Sequence, residues 1–279
     1  MKLSIALFLI VSGVVTFKTL NRHYSSSATP SIETDAAKSV SPNATAVVVE
    51  LFTSEGCSSC PPADEVLSKL VKAQPVQGIE VIALGEHVDY WNKLGWIDPY
   101  SSVEFSTRQN GYAEAFGRES VYTPQMIVDG QDEFVGGNWN SAREAIMKAA
   151  RLPKAKVQIL AASNSNETNK DLKLSVQISD IPQLTAGDKA DVLLAITESN
   201  LRSEVSRGEN AGRSLRHSAV VRSLAVMGNI SNGQQSFDAE STATLKVGWQ
   251  RDNLRAVVFI QERRTRHVLG AAALGLSKN

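Results

Sequence analysis

The feature that most constrains the fold of this chain is a change in the spacing of its apolar residues near Pro153. Between residues 46 and 151, short continuous apolar runs alternate with stretches in which apolar residues recur every three or four positions. After Pro153, apolar and polar residues alternate, most clearly in the segment DLKLSVQIS at 171–179. The first pattern is typical of buried strands that alternate with helices, and the second is typical of half-buried strands.

These two patterns predict two domains of different class. Residues 45–152 are expected to form an α/β domain in the order strand, helix, strand, helix, strand, strand, helix. Residues 154–279 contain several short strand candidates with no helical pattern between them, which predicts an all-β sandwich of the immunoglobulin-like type.

The N-terminal segment predicts export. Met1 and Lys2 precede an uncharged, mostly apolar run over residues 3–17, which matches the start of a secretory signal. We expect residues 1–27 to be a signal peptide or an uncleaved N-terminal membrane anchor, and residues 28–44, rich in Ser, Thr, Ala and Pro, to be a disordered tether. The protein is therefore expected to be periplasmic or secreted, with a possible anchor at residues 3–17.

The balance of charges argues against nucleic acid as a partner. Lys and Arg together number 29, and Asp and Glu together also number 29. A protein with no net positive charge lacks the basic field that attracts phosphate backbones.

The two cysteines of the chain form a Cys-x-x-Cys motif, CSSC, at residues 57–60. A disulfide there closes a very small loop and removes little entropy from the unfolded chain, so stabilisation is a poor reason for the pair. The motif follows a buried strand and precedes a helix that begins with Pro61 and Pro62, so Cys57 is expected to face the positive end of the helix dipole, which favours its thiolate. We expect Cys57 to attack disulfides and Cys60 to resolve the mixed disulfide.

The CSSCPP motif between strand and helix, with VYTPQMIVDG at 121–130 downstream, resembles the thioredoxin fold. That resemblance implies a cis peptide bond at Thr123-Pro124 beside the redox pair. Together with HVDYWNKLGWIDPYSS at 87–102 and SRGENAGRSLRH at 206–217, the chain resembles a family of secreted bacterial proteins catalogued as domain of unknown function 1223. The family resemblance implies a thioredoxin-like N-terminal domain but no substrate.

Two further residues are candidates for the redox site. Glu50, the only charged residue of the strand candidate AVVVELF, resembles the buried acid with which thioredoxins accept a proton from the resolving cysteine; alternatively it is paired or solvated at the strand end. His87 follows the second strand candidate, whose carboxyl end is expected at the edge that carries the cysteines. As a cation it could stabilise the Cys57 thiolate, or it could be a loop histidine with local contacts only.

A long polar segment in the second half, residues 201–217, contains several arginines together with Glu209 and His217. Long loops inside compact domains are usually functional or mobile. This segment is expected to dock against the first domain or to contact a ligand, and the alternative is a solvated hairpin. The aromatic residues of segment 87–102 are expected mainly to provide packing.

The function favoured by these patterns is thiol-disulfide exchange on exported protein thiols or disulfides, with an unknown redox partner and no cofactor. One alternative is a copper carrier that binds Cu(I) through Cys57, Cys60 and His87. Another is a non-catalytic binding module on a thioredoxin scaffold.

Overall fold

The computed structural model of the protein describes residues 44–161 and 171–277. The segment predicted to be a signal peptide or anchor, residues 1–27, lies outside the described residues, as does the predicted tether except for residue 44. Among the described residues, none of the helices has the length and apolar character that crossing a membrane requires.

The first half of the described chain alternates strands and helices in the predicted order. The elements are β1 (Thr45–Thr53), α1 (Pro61–Ala73), β2 (Ile79–His87), α2 (Val103–Ala115), β3 (Gln125–Val128), β4 (Asp132–Val135) and α3 (Trp139–Ala149). Strand β1 pairs in parallel with β2 and antiparallel with β3, and β3 pairs antiparallel with β4.

The second half consists of strands, with no α-helix among its described residues. The elements are β5 (Lys156–Ala161), β6 (Asp171–Ser179), β7 (Ala190–Glu198), β8 (Leu201–Glu204), β9 (Ser214–His217), β10 (Val220–Ile230), β11 (Phe237–Thr244), β12 (Leu254–Glu262) and β13 (Val268–Gly275). Strands β7, β10, β12 and β13 form antiparallel pairs, and β11, β6 and β5 form a separate three-stranded sheet.

The two halves share one mixed sheet of eight strands in the order β13-β12-β7-β10-β2-β1-β3-β4. The junction is short: Val220 of β10 is the register partner of Gly85 of β2, and the Gly85 N–H donates to the Ala219 carbonyl at 2.7 Å. Gly85 suits this position because a Cβ there would lie 3.3 Å from the Ser218 carbonyl oxygen. All described residues belong to one compact unit, Ala37–Asn279.

The expected fold class, a thioredoxin-like α/β domain followed by an all-β immunoglobulin-like sandwich domain, is therefore wrong. The described chain is mostly β, and its large mixed sheet runs through both halves. The physical reason is that an isolated sheet ending at β2 would expose unpaired N–H and C=O groups along that edge, and β10 supplies partners at its end. Apolar periodicity predicts strands but not which strands pair.

Both faces of the β1/β2 pair are buried. On one face, Val49 and Leu51 pack with Ala63 and Leu67 of α1, in a core that also contains residues of α3. On the other face, a second core joins Val48 and its neighbours to β7, β12 and Phe105 of α2. Alternate residues of β1 therefore face α1 or α2, which decides where each polar side chain of this strand lies.

Helix α1 positions the candidate site. Pro61 and Pro62 occupy its first turn, where their missing N–H groups would have no helical partner. The helix ends at Gln74, which has a positive φ of 42° and whose N–H bonds the Leu70 carbonyl at 3.1 Å. Its apolar stripe packs on the sheet, so its N-terminus lies at the end of β1.

Candidate functional site

Cys57 and Cys60 form a disulfide in the loop between β1 and α1. Cys60 is the N-cap residue of α1, so the motif lies at the helix N-terminus as predicted. Both cysteines are 0% exposed, whereas Ser58 and Ser59 between them are exposed. Attacking cysteines of disulfide oxidoreductases are usually partly exposed, whereas neither sulfur is accessible to solvent in this disulfide-bonded structure.

The peptide bond Thr123-Pro124 is cis, which confirms the expectation from the resemblance. The Thr123 hydroxyl accepts a hydrogen bond from the Trp91 indole at 2.8 Å. A Cβ built on Gly136 would lie 3.0 Å from the Ala63 side chain and 3.6 Å from that of Pro124. Pro124 and the first turn of α1 are therefore both in contact range of Gly136, so the dipeptide lies near the start of the helix that follows the cysteine loop.

Residues 205–213, which connect β8 to β9, cover the cysteine loop and are called the strap below. The Asn210 side chain is buried, and its amide nitrogen donates to the carbonyls of Glu55 and Cys57, at 2.9 Å each. At the surface, the Glu209 carboxylate accepts from the Ser58 N–H at 3.0 Å and from the Ser58 hydroxyl at 2.6 Å. The strap is therefore bonded to the loop that carries the buried Cys57 sulfur.

Docking of residues 201–217 against the first half of the chain was one of the alternatives that the sequence left open. The structure shows such contacts, but the arginines of the segment do not make the main ones. Arg213 supports the strap because its guanidinium donates to the side-chain amide oxygen Oδ1 of Asn210 at 2.9 Å. Arg202 pairs with Glu204 on the same hairpin instead of crossing to the first half. The strap is held by the Glu209 carboxylate, which the sequence had already named, and by the Asn210 amide, which it had not.

Two buried histidine–carboxylate pairs lie behind the cysteine loop. His87, at the end of β2, contacts Asp98 through Nδ1 at 2.7 Å. His217, at the end of β9, contacts Glu55 through Nε2 at 2.9 Å. The two imidazole rings approach edge to face with centroids 4.8 Å apart, and the Tyr100 ring lies 5.5 Å from each.

Hydrogen bonds fix both carboxylates of these pairs. Asp98 also accepts from the backbone N–H groups of Glu55 and Tyr100, at 2.8 and 2.9 Å. Glu55 also accepts from the Trp96 indole at 2.8 Å. Burial disfavours the imidazolium, but the Asp98 carboxylate outweighs it and raises the pKa of His87. The reciprocal effect of His87 holds the pKa of Asp98 below its usual value, although burial acts in the opposite direction.

Asp64 adds a third acid to the same corner. It lies in the first turn of α1 and accepts a hydrogen bond from the Thr53 hydroxyl at 2.9 Å. Burial raises the pKa of Asp64 to about 6, against the lowering influence of His217 and His87. Asp64, His87 and His217 lie together behind the cysteine loop, and we call these three residues the acid–base cluster.

Glu50 does not belong to this cluster. It faces α2, where it forms an ion pair with Arg108 at 2.6 Å and accepts a hydrogen bond from the Tyr112 hydroxyl. Its neighbours Val49 and Leu51 face α1. The structure thus places Glu50 on the opposite face of the sheet from α1, away from the position expected for a proton acceptor of Cys60.

Glu86 accompanies Glu50 on the α2 face. Its carboxylate is buried and makes no hydrogen bond among the described residues, although Arg108 lies 3.3 Å away. Burial, and next the charge of Glu50, raise the pKa of Glu86 well above its ordinary value. This group lies in the interior between β1, β2 and α2, on the other side of the sheet from α1, and we assign it no part in the candidate site.

Comparison with known proteins places the chain in a family. A family model described as "Protein of unknown function (DUF1223)" matches residues 48–261. The chain belongs to this family. The match supports the family named from the sequence, but it carries no information on secretion or on a thioredoxin-like superfamily.

A crystal structure of a protein from Agrobacterium tumefaciens has the fold of this DUF1223 protein. The two chains are 28% identical, with a TM-score of 0.64 over 86% of this chain and 98% of that chain. A Pseudomonas fluorescens alkylpurine DNA glycosylase bound to DNA with an abasic site analogue is 14% identical, with a TM-score of 0.25 over 50% of this chain and 34% of that one, too low to indicate fold or function. A search of curated proteins found no match.

Cys57, Cys60 and His87, the three residues of the copper alternative, lie in one region of this DUF1223 structure, but each already has another bonding partner. The sulfurs of Cys57 and Cys60 are bonded to each other, and Nδ1 of His87 contacts Asp98. Within residues 44–161 and 171–277, no group of three or more His, Cys, Asp or Glu side chains is arranged to hold a metal ion.

Sequence reasoning missed most members of the site. It named His87, but the partners that give His87 its environment are Asp98, Glu55 and His217. His217 and Glu55 are 162 positions apart, and Asn210 and Glu55 are 155 apart. Asp64 could have been identified from the sequence, because it follows Cys60 by four positions and therefore lies on the same side of α1.

Proposed function

We propose that this protein is an exported thiol-disulfide oxidoreductase that uses the Cys57–Cys60 pair to oxidise or reduce cysteines of other exported proteins. The observation that supports this most strongly is the position of the disulfide at the N-terminus of α1, beside the acid–base cluster, in which His87 and His217 are buried and Asp64 is half-buried. Titratable groups with shifted pKa values concentrate at functional sites, because burial and neighbouring charges are used there to tune proton transfer.

The exchange follows from the chemistry of the pair. In the oxidising direction, a substrate thiolate attacks the Cys57 sulfur, the Cys57–Cys60 bond breaks, and its electron pair leaves on the Cys60 sulfur, which takes a proton. A second substrate thiolate then attacks the substrate sulfur of the mixed disulfide and releases Cys57 as a thiolate. Two electrons pass to the pair, and the reducing direction is the reverse. The N-terminal end of α1 favours the Cys57 thiolate.

A protein substrate reaches Cys57 only after the strap moves. Both sulfurs are 0% exposed, and the strap holds the backbone of the cysteine loop through Asn210. The strap is a connection between two short strands, and such segments open at lower free-energy cost than the core. We therefore place strap opening before the chemical step.

The proposed export rests on the apolar run at residues 3–17 and on the chemistry of the pair. Disulfides persist in oxidising compartments such as the bacterial periplasm, and a dithiol of this kind would meet oxidised substrates there. The physiological partners are therefore expected among exported proteins that contain cysteine pairs.

The decisive test is the reduction potential of the Cys57–Cys60 pair in purified protein that lacks residues before 37, after equilibration in dithiothreitol and glutathione buffers. A value within roughly −270 to −120 mV, the range of known exchange catalysts, supports the proposal and gives the direction of exchange. A pair that stays oxidised, or reduced, throughout that range contradicts catalysis and favours a non-catalytic binding module.

The surface contact of the strap gives a pH-dependent prediction. Hydrogen bonds from the Ser58 hydroxyl and N–H lower the pKa of Glu209 in the docked strap. Because this pKa is depressed, the contact stabilises docking above the ordinary range of a glutamic acid and is lost as the pH falls through the depressed value. Reduction by a phosphine, which works in acid, should be slightly faster for Glu209→Gln than for the unmodified protein at pH 7.

That difference should disappear as the pH is lowered below about 4, the ordinary range of glutamic acid. The measurement is the rate of disulfide reduction at a series of pH values, followed by thiol labelling and mass spectrometry. Arg207→Ala is a matched control, because Arg207 is an exposed residue of the same strap. A rate ratio that does not change with pH would contradict a role of the Glu209 carboxylate in docking.

A further inference from the structure

Asp64 is the acid most closely tied to the resolving cysteine by the chain itself. It follows Cys60 by four positions, and its N–H bonds the Cys60 carbonyl at 3.1 Å in the first turn of α1. Residues four apart lie on one side of a helix, and the Cα–Cβ bond tilts toward the helix N-terminus. The Asp64 side chain therefore extends along α1 toward the turn that carries Cys60.

The hydrogen bonds of Asp64 argue against a simple capping role. Acidic residues in a first helical turn commonly interact with the free N–H groups there. In α1, Pro61 and Pro62 have no N–H, and the N–H groups of Ala63 and Asp64 bond the Cys60 carbonyl. The Asp64 carboxylate instead bonds the hydroxyl of Thr53, the last residue of β1, before the cysteine loop.

From these contacts we infer that Asp64 exchanges a proton with the Cys60 thiol during resolution of the mixed disulfide. The inference rests on the proposed oxidoreductase function and assigns to Asp64 the role that the sequence gave to Glu50. Asp64 lies on the α1 side of the sheet with the cysteines, whereas Glu50 lies on the α2 side.

The proton and electrons balance as follows. When the reduced pair resolves a mixed disulfide, the Asp64 carboxylate takes the proton of the Cys60 thiol. The Cys60 sulfur then attacks the Cys57 sulfur, the bond between Cys57 and the substrate sulfur breaks, and the electron pair leaves with the substrate as a thiolate. In the opposite direction, Cys60 leaves as a thiolate and takes the proton from the Asp64 carboxylic acid.

The environment of Asp64 suits this exchange at neutral pH. The groups that face it are the Thr53 hydroxyl of β1, His87 of β2, His217 of β9, and Asp98 of the segment before α2. Burial raises the pKa of Asp64 to about 6, so both protonation states are populated near neutral pH, as an acid–base group requires. Nδ1 of His87 and Nε2 of His217 already face the carboxylates of Asp98 and Glu55.

The test is the reaction of the reduced protein with dithionitrobenzoate in a stopped-flow instrument. The first thionitrobenzoate is released when Cys57 attacks, and the second when Cys60 resolves the adduct. In Asp64→Asn, which can still accept the Thr53 hydrogen bond, we expect the second release to slow at least about tenfold at pH 7. Its rate should also lose the inflection near pH 6 shown by the unmodified protein, while the first release is unchanged.

Two variants separate proton exchange from a structural effect. Glu65→Gln removes the neighbouring acid, which is exposed on the same helix, and should leave both phases unchanged. Asp64→Glu keeps a carboxylate and should restore a pH inflection. A second release in Asp64→Asn with the rate and pH profile of the unmodified protein would overturn the inference.

A second measurement does not depend on exchange activity. In Cys57→Ser, the ultraviolet absorbance of the Cys60 thiolate gives the pKa of that thiol directly. Removing the neighbouring carboxylate in Asp64→Asn should lower this pKa, because a like charge no longer opposes the thiolate. An unchanged pKa would overturn the inference even in an active enzyme. A lowered pKa in a protein whose reduction potential lies outside the catalytic range would support the inference while the proposed function fails.

Discussion

Cys57→Ser is expected to abolish disulfide exchange, whereas Cys60→Ser is expected to form mixed disulfides with its substrates and to release them very slowly. Cys57 lies in the loop before α1 and is the sulfur that the helix N-terminus favours as a thiolate, while Cys60 begins the helix and resolves. The measurement is turnover of a dithiol substrate, with the trapped adducts identified by mass spectrometry.

The asymmetry between the two variants distinguishes catalysis from a structural disulfide. The two cysteines are three positions apart, so losing the bond should change the unfolding temperature little in either variant, and by the same amount. Equal residual activity in both variants, or adducts trapped on Cys60 instead of Cys57, would contradict the assigned roles.

Asn210→Ala is expected to speed reduction of the Cys57–Cys60 disulfide by dithiothreitol about 10-fold to 100-fold. The buried Asn210 amide supplies a donor to the carbonyls of both Glu55 and Cys57. In the variant the Cys57 carbonyl keeps the Cys60 N–H at 3.2 Å, but the Glu55 carbonyl has no other donor among the described residues. A buried carbonyl left without a donor costs about 1 to 3 kcal/mol, and each 1.4 kcal/mol changes an equilibrium about tenfold. Because these bonds join the strap to the cysteine loop, the loss raises the population in which the strap is open.

Reduction kinetics with thiol labelling measure this effect, and hydrogen exchange of the amides in residues 205–213 reports strap opening independently. Arg207→Ala, in the same strap, should reduce at the rate of the unmodified protein because its side chain is exposed. If Asn210→Ala exposes the strap amides but leaves the reduction rate unchanged, the small reductant reaches the disulfide by another route and the strap does not gate it.

Most of the local structure was predictable from the sequence. The order of elements in the first half, the cysteine motif at the start of α1 and the strand at DLKLSVQIS each depend on residues within about one turn or one strand length. These features arise from nearby side chains, so reading the chain locally was sufficient. The cis bond at Thr123-Pro124 was implied by a resemblance and not by periodicity.

The fold class was not predictable in this way. Pairing of β10 with β2 joins segments more than a hundred positions apart through Val220 and Gly85. The face of the sheet on which Glu50 lies was also not predictable from the sequence. Both faces of β1 are buried, so a continuous apolar run such as AVVVELF does not reveal which helix a given residue faces. The role assigned to Glu50 depended on that choice of face.

The sequence by itself determined the motif at the centre of the candidate site: a Cys-x-x-Cys pair between a buried strand and a helix that starts with two prolines. Only the tertiary structure decided the surroundings of that pair. The strap residue Asn210 and the cluster member His217 reach it from the second half of the chain, where β9 ends and β10 begins beside the end of β2. Spacing along a chain specifies which residues share a helix or strand face, whereas contacts over such separations depend on how whole sheets pair and bury their edges.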